Sequence, residues 1–483
     1  MLWVPIKRNE SLPLNMQVYE QIRQSIAAGE LMTGQRLPST RTLAEELSVS
    51  RNVVLEAYDQ LTAEGYVNGR PGSGTYVAAD VLLKDWAETP MTAVTNKMPF
   101  AGEWQSDLAA AVSRPEEAVI SFRCGIPALD LFPRKLWGRL FRQVIEEMNE
   151  RVLGYGDPEG RLELRQAIAR YLLKTRGIRC VPEQMVITSG ASQAMFLLAK
   201  LLSVSGKTGV VEDPMIKDLY SVFTSTGNVL YPVPVDEQGM MTEALAGCAN
   251  PAFVYVTPSH QFPLGGIMPA QRRNQLIQYA RDTDCYIIED DYDSEIRYAG
   301  PPISTLFGLA PERVIYVGTF SKILAPALRI GYMVLPAELV GRCRRLKWFT
   351  DLHTPSLDQL VLSRFISEGY MEKHIRVVKK RYRRRRAILL EVLTNHFPGR
   401  VKILGDSTGL HVVAEFFAIQ FTETLLTAIR RYGVQVQSVE DYAIHPGRHQ
   451  QRLILGYGHL REAEIVEGIQ IIATVLRHSG NML

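Results

Sequence analysis

A single lysine, Lys322, follows an apolar run in residues 314–322 (VIYVGTFSK). The β-branched and aromatic residues of this run predict a buried strand, so the lysine amine would be held away from water at a strand end. An amine that is less protonated can attack an aldehyde. Lys322 is therefore a candidate for holding a carbonyl compound covalently, although this stretch alone would also suit a surface lysine.

Two hydroxyl residues and an arginine accompany this lysine. Thr319 and Ser321 lie in the same segment, and Arg329 follows in residues 326–331 (PALRIG). Hydroxyl groups, backbone amides and a guanidinium group are suitable ligands for a phosphate. The segment therefore predicts a cofactor that carries both an aldehyde and a phosphate.

A second phosphate-binding element is predicted in residues 187–193 (ITSGASQ), where a strand leads into a helix. The backbone amides of Gly190, Ala191 and Ser192 would lie at the positive end of that helix and face an anion. Alone this pattern is a weak signal, and it gains weight from the lysine segment downstream.

Acidic residues and a tyrosine end another predicted strand in residues 286–292 (YIIEDDY). A carboxylate at this place can pair with a pyridinium nitrogen, and a phenol can contact a ring oxygen. Acids at a strand end are usually solvated surface groups. Because the segment ends thirty residues before Lys322, at what would be a neighbouring strand end, it instead indicates a shared site for Asp290, Tyr292 and the lysine.

The length and composition of the chain limit the classes of protein to which it can belong. The 483 residues suffice for about two to four domains. There is no apolar run long enough to span a bilayer and no signal peptide, which predicts a cytoplasmic protein without membrane contact. The net charge of +3 is too small to indicate nucleic-acid binding by itself. The five cysteines form no CxxC pair and the histidines lack ligand spacing, so no metal site is predicted.

The first eighty residues predict three helices followed by a hairpin. The first helix ends near Gly29, the second follows the N-cap Ser39, and the third begins after a tight turn at residues 48–50. Residues 66–77 (YVNGRPGSGTYV) then predict two short strands around a glycine-rich tip. The positions predicted to face inward from the three helices are Leu14, Val18, Ile22, Ile26, Leu43, Ala44, Leu47, Val54, Ala57, Tyr58 and Leu61.

This order of elements is that of a winged helix-turn-helix, in which the third helix presents its amino-terminal end to base edges in the major groove. Ser50, Arg51 and Asn52 lie at that end, and Arg70 in the wing could reach a phosphate or the minor groove. A small helical cap without DNA contact is the alternative.

Residues 37–44 (LPSTRTLA), 49–54 (VSRNVV) and 72–77 (GSGTYV) closely resemble the winged helix-turn-helix of GntR-type bacterial regulators. The resemblance implies that double-stranded operator DNA is a partner of the chain. The DNA contacts that it implies are Arg41, Ser50, Arg51, Asn52 and the wing tip near Gly72.

Beyond the hairpin, the sequence predicts a linker and a large domain. Prolines interrupt the periodic pattern in residues 81–117, which predicts a tether. In residues 118–483 strand-like and helix-like stretches alternate, which predicts an α/β domain with a mostly parallel sheet and ligands at the strand carboxyl ends. The winged helix-turn-helix would occupy residues 1–80. The predicted strands are residues 185–188, 208–211, 253–257, 286–288, 314–317 and 332–335.

The large domain resembles the fold-type I aminotransferases, which bind pyridoxal 5′-phosphate. The similarity runs from residues 125–127 (GIP) through 155–160 (YGDPEG) to 452–457 (RLILGY). Together with the amino-terminal domain, it makes nearly the whole chain resemble the MocR/GabR-type branch of the GntR regulators. The resemblance implies a homodimer.

Positions carried over from that family give each site residue an expected role. Lys322 would form the Schiff base with the cofactor, Asp290 would pair with the pyridine nitrogen, and Tyr292 would contact the ring oxygen. Arg452 would pair with the carboxylate of an amino-acid effector. The residues implied to hold the phosphate are Gly190, Ala191, Ser192, Thr319, Ser321 and Arg329, with Tyr155 reaching over from the other subunit.

Two positions depart from the aminotransferase pattern. An asparagine usually precedes the proline matching Pro263, but Phe262 stands there and cannot donate a hydrogen bond to the cofactor. Ile216 stands near the place of an aromatic residue that stacks on the cofactor ring, and Tyr220 is a possible substitute. Because one preorganised polar contact can be worth roughly a hundredfold in rate, these departures favour a sensor over an enzyme.

A strongly basic run occupies residues 379–386 (KKRYRRRR) and could contact the DNA backbone. The alternative is the solvated side of a long helix. Ile375, Val378, Tyr382 and Leu389 would supply the inner face of such a helix, which favours this alternative.

The sequence therefore predicts a transcription regulator that senses a small amine or amino acid by aldimine exchange at Lys322. One alternative is a working aminotransferase with an accessory DNA-binding domain. Another is a DNA-binding protein whose large domain only holds a dimer together. The identity of the effector, the operator and the direction of regulation stay open.

Overall fold

A computed structural model of the chain describes residues 6–8, 12–70, 73–79, 119–298 and 303–478. Two compact units lie within residues 1–113 and 114–483. The predicted linker at residues 81–117 and the wing-tip residue Gly72 lie outside the described residues.

The amino-terminal unit has the predicted winged helix-turn-helix architecture. Ser39 begins the second helix by accepting a hydrogen bond from the Thr42 amide at 3.1 Å. Ser48 ends that helix in the left-handed region, with φ of 52°. The elements are α1 (Leu14–Ala27), α2 (Thr40–Leu47), α3 (Arg51–Ala63) and the antiparallel strands β1 (Val67–Arg70) and β2 (Gly74–Val77).

The core of this unit follows the predicted apolar spacing. Leu14 and Leu47 are only half-buried, because they occupy the first and last turns of their helices. The fully buried helical positions are Val18, Ile22, Ile26, Leu43, Ala44, Val54, Ala57, Tyr58 and Leu61.

The second unit contains an eight-stranded, mostly parallel sheet. The strand order is β4-β11-β10-β9-β8-β5-β6-β7, and only β11 and β7 run against their neighbours. The strands are β4 (Met185–Thr188), β5 (Thr208–Asp213), β6 (Val229–Asp236), β7 (Gly239–Met240), β8 (Pro251–Val256), β9 (Tyr286–Asp291), β10 (Val314–Thr319) and β11 (Gly331–Val334).

All six predicted strands lie in the large sheet, but two strands of that sheet, β6 and β7, were missed. Pro232 and Pro234 interrupt the apolar pattern of β6, and its partner β7 has only two residues. Proline has no backbone N–H to donate within a sheet, so a segment with prolines is less readily predicted to be a strand. β6 tolerates its prolines near the edge of the sheet, where its outer neighbour is short.

Alternate residues of the strands pack into two hydrophobic cores, one on each face of the sheet. Ile187 and Tyr316 belong to one core, whereas Val186 and Val317 belong to the other. The helices of this unit are α4 (Arg134–Glu147), α5 (Leu162–Arg176), α6 (Ala191–Leu201), α7 (Lys217–Ser225), α8 (Ala270–Asp282), α9 (Leu306–Leu309), α10 (Ala337–Asp351), α11 (Ser356–Ser367), α12 (Tyr370–His396), α13 (Glu423–Arg431) and α14 (Glu462–His478). None of the helices in the described ranges has the length and apolarity that a membrane crossing requires.

A smaller antiparallel sheet lies in the carboxyl-terminal part, in the order β12-β13-β16-β15. Ile120 pairs with Val434, so the segment that follows residue 119 is anchored beside this part of the chain. The remaining strands are β3 (Ile120–Ser121), β12 (Val401–Leu404), β13 (His411–Phe416), β14 (Val434–Gln435), β15 (Gln437–Ser438) and β16 (Arg452–Gly456).

The basic run lies on the long helix α12, as the favoured alternative predicted, but not all of it is solvated. Arg385 is 1% exposed and donates a hydrogen bond to the carbonyl of Gly458. Arg386 pairs with Asp406 and Arg384 with Glu462. Some of the arginines in this run therefore hold α12 against neighbouring segments through hydrogen bonds and ion pairs.

A buried ion pair supports the sheet edge. Arg176, the last residue of α5, places Nη2 2.7 Å from Oδ2 of Asp291 on β9, and the side chains are 4% and 1% exposed. Tyr316 donates to the same carboxylate oxygen at 2.6 Å. Because the carboxylate is removed from water, its charge depends on these two partners.

Replacing Arg176 by methionine is expected to lower the free energy of unfolding of this unit by about 3–5 kcal/mol, because an unpaired carboxylate stays buried. Urea denaturation followed by circular dichroism measures the change. The control is Arg461→Met, which breaks an exposed pair with Glu464 and should leave the transition unaltered. Equal behaviour of the two variants would contradict a structural role for the Arg176 pair.

Candidate functional site

Lys322 lies in the turn that follows β10, at the carboxyl edge of the large sheet. Its Nζ donates a hydrogen bond to the carbonyl of Gly125 at 2.8 Å. Burial lowers the pKa of the amine, and the negative charges of Asp293 and Asp290 oppose that change. Gly125 has φ of +78°, and a Cβ there would lie 2.5 Å from Nζ, so glycine is what leaves room for the amine.

Asp290 lies near the end of β9, the strand beside β10. Its Oδ2 accepts a hydrogen bond from the Tyr255 hydroxyl at 2.9 Å. Its Oδ1 is buried and has no partner within the described part of the chain. Burial raises the pKa of this carboxyl to about 7, and the Tyr255 bond offsets part of the rise. A protonated ring nitrogen would supply the missing donor, so this carboxylate fits the pyridine of pyridoxal phosphate.

Tyr292 follows Asp290 and is held by a histidine that the sequence analysis did not single out. Its hydroxyl donates to the carbonyl of His260 at 3.0 Å and lies 3.1 Å from Nδ1 of that ring. The same Nδ1 lies 2.8 Å from Oδ2 of the buried Asp293. The phenol, imidazole and carboxylate therefore form one connected group beside Lys322.

His411 completes a cluster in which ligand atoms of His260, Asp293 and His411 lie within 4.8 Å of one another. These residues are distant in sequence, which is why spacing did not reveal them. Nε2 of His411 lies 3.0 Å from the carbonyl of Pro263, and burial holds the pKa of the ring well below its usual value. Hydrogen bonds within the protein thus already use one nitrogen of each ring.

The predicted phosphate ligands converge at the start of α6. Gly190 caps that helix with φ of +81°, and Nη2 of Arg329 donates to the neighbouring Ser189 carbonyl at 3.0 Å. A Cβ on Gly190 would lie 2.8 Å from the same Nη2. The helix end and the guanidinium therefore present positive charge together, which fits a phosphate.

The remaining predicted phosphate ligands adjoin this point. Ala191 and Ser192 are the first two residues of α6. Thr319 and Ser321 are buried, and the Thr319 hydroxyl accepts a hydrogen bond from the Ser321 amide at 3.2 Å. Gly331, which begins β11, approaches so closely that a Cβ would lie 2.8 Å from the Gly190 carbonyl carbon.

The structure does not join Arg452 or Tyr155 to Lys322 by any contact among the described residues. Arg452 pairs with Glu415 and contacts His449. Tyr155 is 82% exposed and lies edge-on to His353, with ring centroids 6.2 Å apart. The role predicted for Tyr155 requires a second copy of the chain.

Phe262 packs among aromatic rings instead of offering a polar group. Its ring lies 6.3 Å from that of Tyr292 and 5.1 Å from that of Tyr442, both edge-on. The neighbouring amide Gln261 donates to Glu212 and to the Pro214 carbonyl. Ile216, the N-cap of α7, and Tyr220, in its first turns, are half-buried. Stacking by Tyr220 stays a prediction.

Sequence reasoning missed two further buried polar groups. Tyr255 lies inside the apolar run of β8, which gave no sign that its hydroxyl reaches Asp290. Glu212 accepts from the Thr257 hydroxyl at 2.6 Å, and burial raises the pKa of its carboxyl to about 7. Its position at the end of a predicted strand was the available signal.

The predicted DNA contacts of the helices lie at the starts of α2 and α3. Ser50, Arg51 and Asn52 are exposed where α3 begins. Nε of Arg51 donates to the Thr40 hydroxyl at 3.3 Å, which links the starts of α3 and α2. Arg41 is also exposed and pairs with Glu45 along α2.

In the wing, the Arg70 guanidinium lies 4.9 Å from the centre of the Tyr76 ring. The backbone of Arg36, a residue that precedes α2, forms an isolated antiparallel bridge with Tyr76 of β2. The part that Arg70 plays in DNA contact stays a prediction.

Comparisons with known proteins agree with both units. Residues 14–77 match the family "Bacterial regulatory proteins, gntR family", and residues 132–455 match "Aminotransferase class I and II". A crystal structure of kynurenine aminotransferase from Pyrococcus horikoshii, solved with PMP, has a TM-score of 0.69 at 29% identity. That match covers 77% of this chain and 96% of the other.

Two relatives align along nearly the whole chain. One is named "Probable rhizopine catabolism regulatory protein MocR", from Rhizobium meliloti, and is 35% identical over 96% of this chain and 94% of its own length. The other is the pyridoxine biosynthesis transcriptional regulator PdxR of Corynebacterium glutamicum, 30% identical over 91% of each chain. The chain belongs to the MocR/GabR-type branch of the GntR transcription regulators, which join a DNA-binding winged helix-turn-helix to a pyridoxal phosphate-binding aminotransferase-like domain.

Proposed function

We propose that this transcription regulator senses a small amine or amino acid through the amine of Lys322. The observation that carries the proposal is the desolvated Lys322 Nζ beside Asp290, whose Oδ1 lacks a donor. A polar group left buried without a partner is costly, so a ligand that supplies the donor is favoured. The chain thus combines a reactive amine with a domain that binds DNA.

Pyridoxal phosphate supplies an aldehyde for which the lysine and an incoming amine can compete. Lys322 would hold the cofactor covalently, Asp290 would keep the ring nitrogen protonated, and Tyr292 would contact the ring oxygen. Burial lowers the pKa of Lys322, which favours the unprotonated amine that attack on a carbonyl requires. The residues proposed to hold the phosphate are Gly190, Ala191, Ser192, Thr319, Ser321 and Arg329.

An effector can change DNA binding only if it has unequal affinity for two arrangements of the protein. An amine held covalently by the cofactor would give up the hydrogen bond that free Lys322 makes with the Gly125 carbonyl, so its release would restore that bond. The Gly125 segment follows β3, which pairs with β14 in a separate two-stranded sheet. This link offers a route from the state of the lysine to a movement within the large unit.

We also propose that the functional form is a cytoplasmic homodimer that binds paired operator sites. Tyr155 is 82% exposed, which leaves it accessible to a second copy, as the role implied by the family resemblance requires. The proposed DNA contacts are Arg41, Ser50, Arg51, Asn52, Arg70 and Gly72.

A working aminotransferase with an accessory DNA-binding domain is the second candidate. The convergence of Lys322, Asp290 and Tyr292, the polar set of such an enzyme, favours it. Sustained conversion of an amine and a keto acid at ordinary enzymatic rates would distinguish the enzyme from the sensor.

Adding the right amine to full-length, cofactor-loaded protein is expected to change its affinity for the DNA upstream of its own gene at least several-fold. Gel shift and footprinting across a panel of amines and amino acids measure the change. The control is Arg51→Ala, which should weaken DNA binding by about 1–3 kcal/mol yet keep the absorbance response to amines. If no amine alters affinity, footprint or DNA bending, the sensing proposal fails.

Lys322→Ala is expected to lose the long-wavelength absorbance of covalently held cofactor and the effector response while still binding DNA. The amine is the group that reacts, whereas the predicted DNA contacts lie in the other unit. Visible spectra and gel shifts test both parts. Lys200→Ala, which removes an exposed lysine at the end of α6, is the matched control. Retention of the absorbance in the Lys322 variant would contradict the assignment.

Asp290→Asn is expected to raise the Tm of cofactor-free protein at pH 8 and to change it little at pH 5. The raised pKa of about 7 means that the folded state binds the proton more tightly than the unfolded state. Stability from this group is therefore lost as the pH rises from about 4 to about 7, and asparagine, which cannot ionise, escapes the loss. The same variant should bind pyridoxal phosphate more weakly at pH 8. A Tm difference that is independent of pH would argue against a buried ionisable Asp290.

A further inference from the structure

A lysine that is closed off from solvent lies beside the proposed phosphate site. Lys347 on α10 is 0% exposed, and its Nζ lies 2.7 Å and 2.9 Å from the two carboxylate oxygens of Asp351, four residues further along the helix. Burial lowers the pKa of the ammonium, and the hydrogen bond to Asp351 opposes that change. Because an apolar side chain would fill such a position at a lower desolvation cost, the buried charge indicates a role beyond packing.

Gln193 on α6 connects this ion pair to the phosphate site. Its Nε2 donates to Oδ2 of Asp351 at 2.8 Å, and its Oε1 accepts from the Ser189 amide at 2.8 Å. The same Oε1 lies 3.4 Å from Nζ of Lys347. An ammonium can only donate and a carboxylate can only accept, so the two charges together allow one orientation of the Gln193 amide. In that orientation its oxygen faces the Ser189 N–H.

Ser189 is held from two directions. Its N–H is bound to Gln193, and its carbonyl accepts from Nη2 of Arg329 at 3.0 Å. Ser189 also joins the end of β4 to Gly190, the N-cap of α6. A rotation of the peptide groups on either side of Ser189 would therefore move the guanidinium and the helix end, the two positive elements of the proposed phosphate site.

We infer that Lys347 is a positioning residue for the cofactor phosphate and acts through Asp351 and Gln193 on Ser189. The inference rests on the proposed phosphate site. The buried ammonium fixes the side-chain amide of Gln193, and that amide fixes the turn that presents Arg329 and the start of α6. Since the ring and the aldehyde of the cofactor are assigned to other residues, loss of Lys347 should weaken recognition of the phosphate alone.

The test compares two forms of the cofactor. Cofactor-free, full-length protein is titrated with pyridoxal phosphate and with pyridoxal, which carries the same ring and aldehyde but no phosphate. The absorbance of the covalently held compound gives a Kd for each, and the quantity of interest is the pyridoxal Kd divided by the pyridoxal phosphate Kd. Wild-type protein is expected to have a ratio of at least about 100, because several charge-assisted hydrogen bonds depend on the phosphate.

Lys347→Met is expected to lower this ratio by about 10-fold, which is the order of one misaligned charge-assisted hydrogen bond. Gln193→Met removes the acceptor of the Ser189 amide, leaves the lysine pair in place and should lower the ratio at least as much. The control is Arg272→Met, which breaks a pair with Asp236 on β6, a strand distant from β4 in the large sheet. It should leave the ratio within about twofold of wild type.

A double variant separates positioning from stability. Lys347→Met leaves the Asp351 carboxylate without its ammonium, so this variant is expected to have a lower Tm than wild type. Adding Asp351→Leu removes the unpaired charge and should recover much of the Tm. The ratio should nevertheless stay low, because neither replacement orients Gln193. Recovery of both the Tm and the ratio would mean that the pair only stabilises the fold, and the inference would be wrong.

Equal losses of affinity for the two compounds in Lys347→Met and Gln193→Met would also overturn the inference, as would an unchanged ratio in both. If Lys347→Met does not fold, Gln193→Met and the double variant decide by the same ratio. Arg329→Gln tests the phosphate site itself and should lower the ratio whatever Lys347 does. Wild-type protein that binds both compounds equally would overturn the phosphate site, whereas a loss in Arg329→Gln without one in Lys347→Met and Gln193→Met would overturn only the positioning role.

Discussion

Charged groups at the carboxyl edge of the large sheet are removed from water, and the properties of the candidate site depend on this desolvation. Strands β9 and β10 run side by side, so the buried Asp290 lies close to the turn that carries Lys322. Removal from water raises the pKa of the acid and lowers the pKa of the amine. Each group is thereby moved toward its neutral form and becomes sensitive to what binds between the strand ends.

Several hydrogen bonds keep these groups from relaxing into other positions. Tyr255 holds one oxygen of Asp290, and the Asp293–His260 pair holds the phenol of Tyr292. Behind them, Arg176 neutralises Asp291, which would otherwise repel Asp290 from the adjacent position. These polar groups thus have their hydrogen-bond partners within the protein. Oδ1 of Asp290, which does not contact Tyr255, is left for a ligand.

The sequence was sufficient to predict those site residues that stand at the end of a recognisable strand pattern. Lys322, Asp290 and Tyr292 each follow an apolar run, and parallel strands bring such ends to one edge, so their convergence could be predicted. The partnership of Gly125 with Lys322 spans 197 residues and arises from tertiary packing. His260 and Asp293 meet in the same way. The roles of the site residues stay predictions until cofactor and effector are bound.

Arg452 shows most directly why the pairing of side chains could not be read from the sequence. Its identity matched the family position, but its neighbour is set by the register of β13 and β16, which places Glu415 opposite. A one-residue shift of that register would point Glu415 to the other face of the sheet and leave the arginine unpaired. The chemistry of an arginine therefore depended on a pairing that motif matching does not contain.

Phe262 bears on the difference between a sensor and an enzyme. A sensor needs a ligand to bind two arrangements unequally, which is a statement about equilibrium alone. An enzyme must also stabilise developing charge on its cofactor during the reaction, and a missing donor raises that barrier. The side chain of Phe262 offers no donor and packs edge-on against Tyr292 and Tyr442, so it supplies apolar contact without helping a transition state. Such a surface would suit the proposed sensor, because it would discriminate ligands by shape while exchange at Lys322 would need to occur only once per signal.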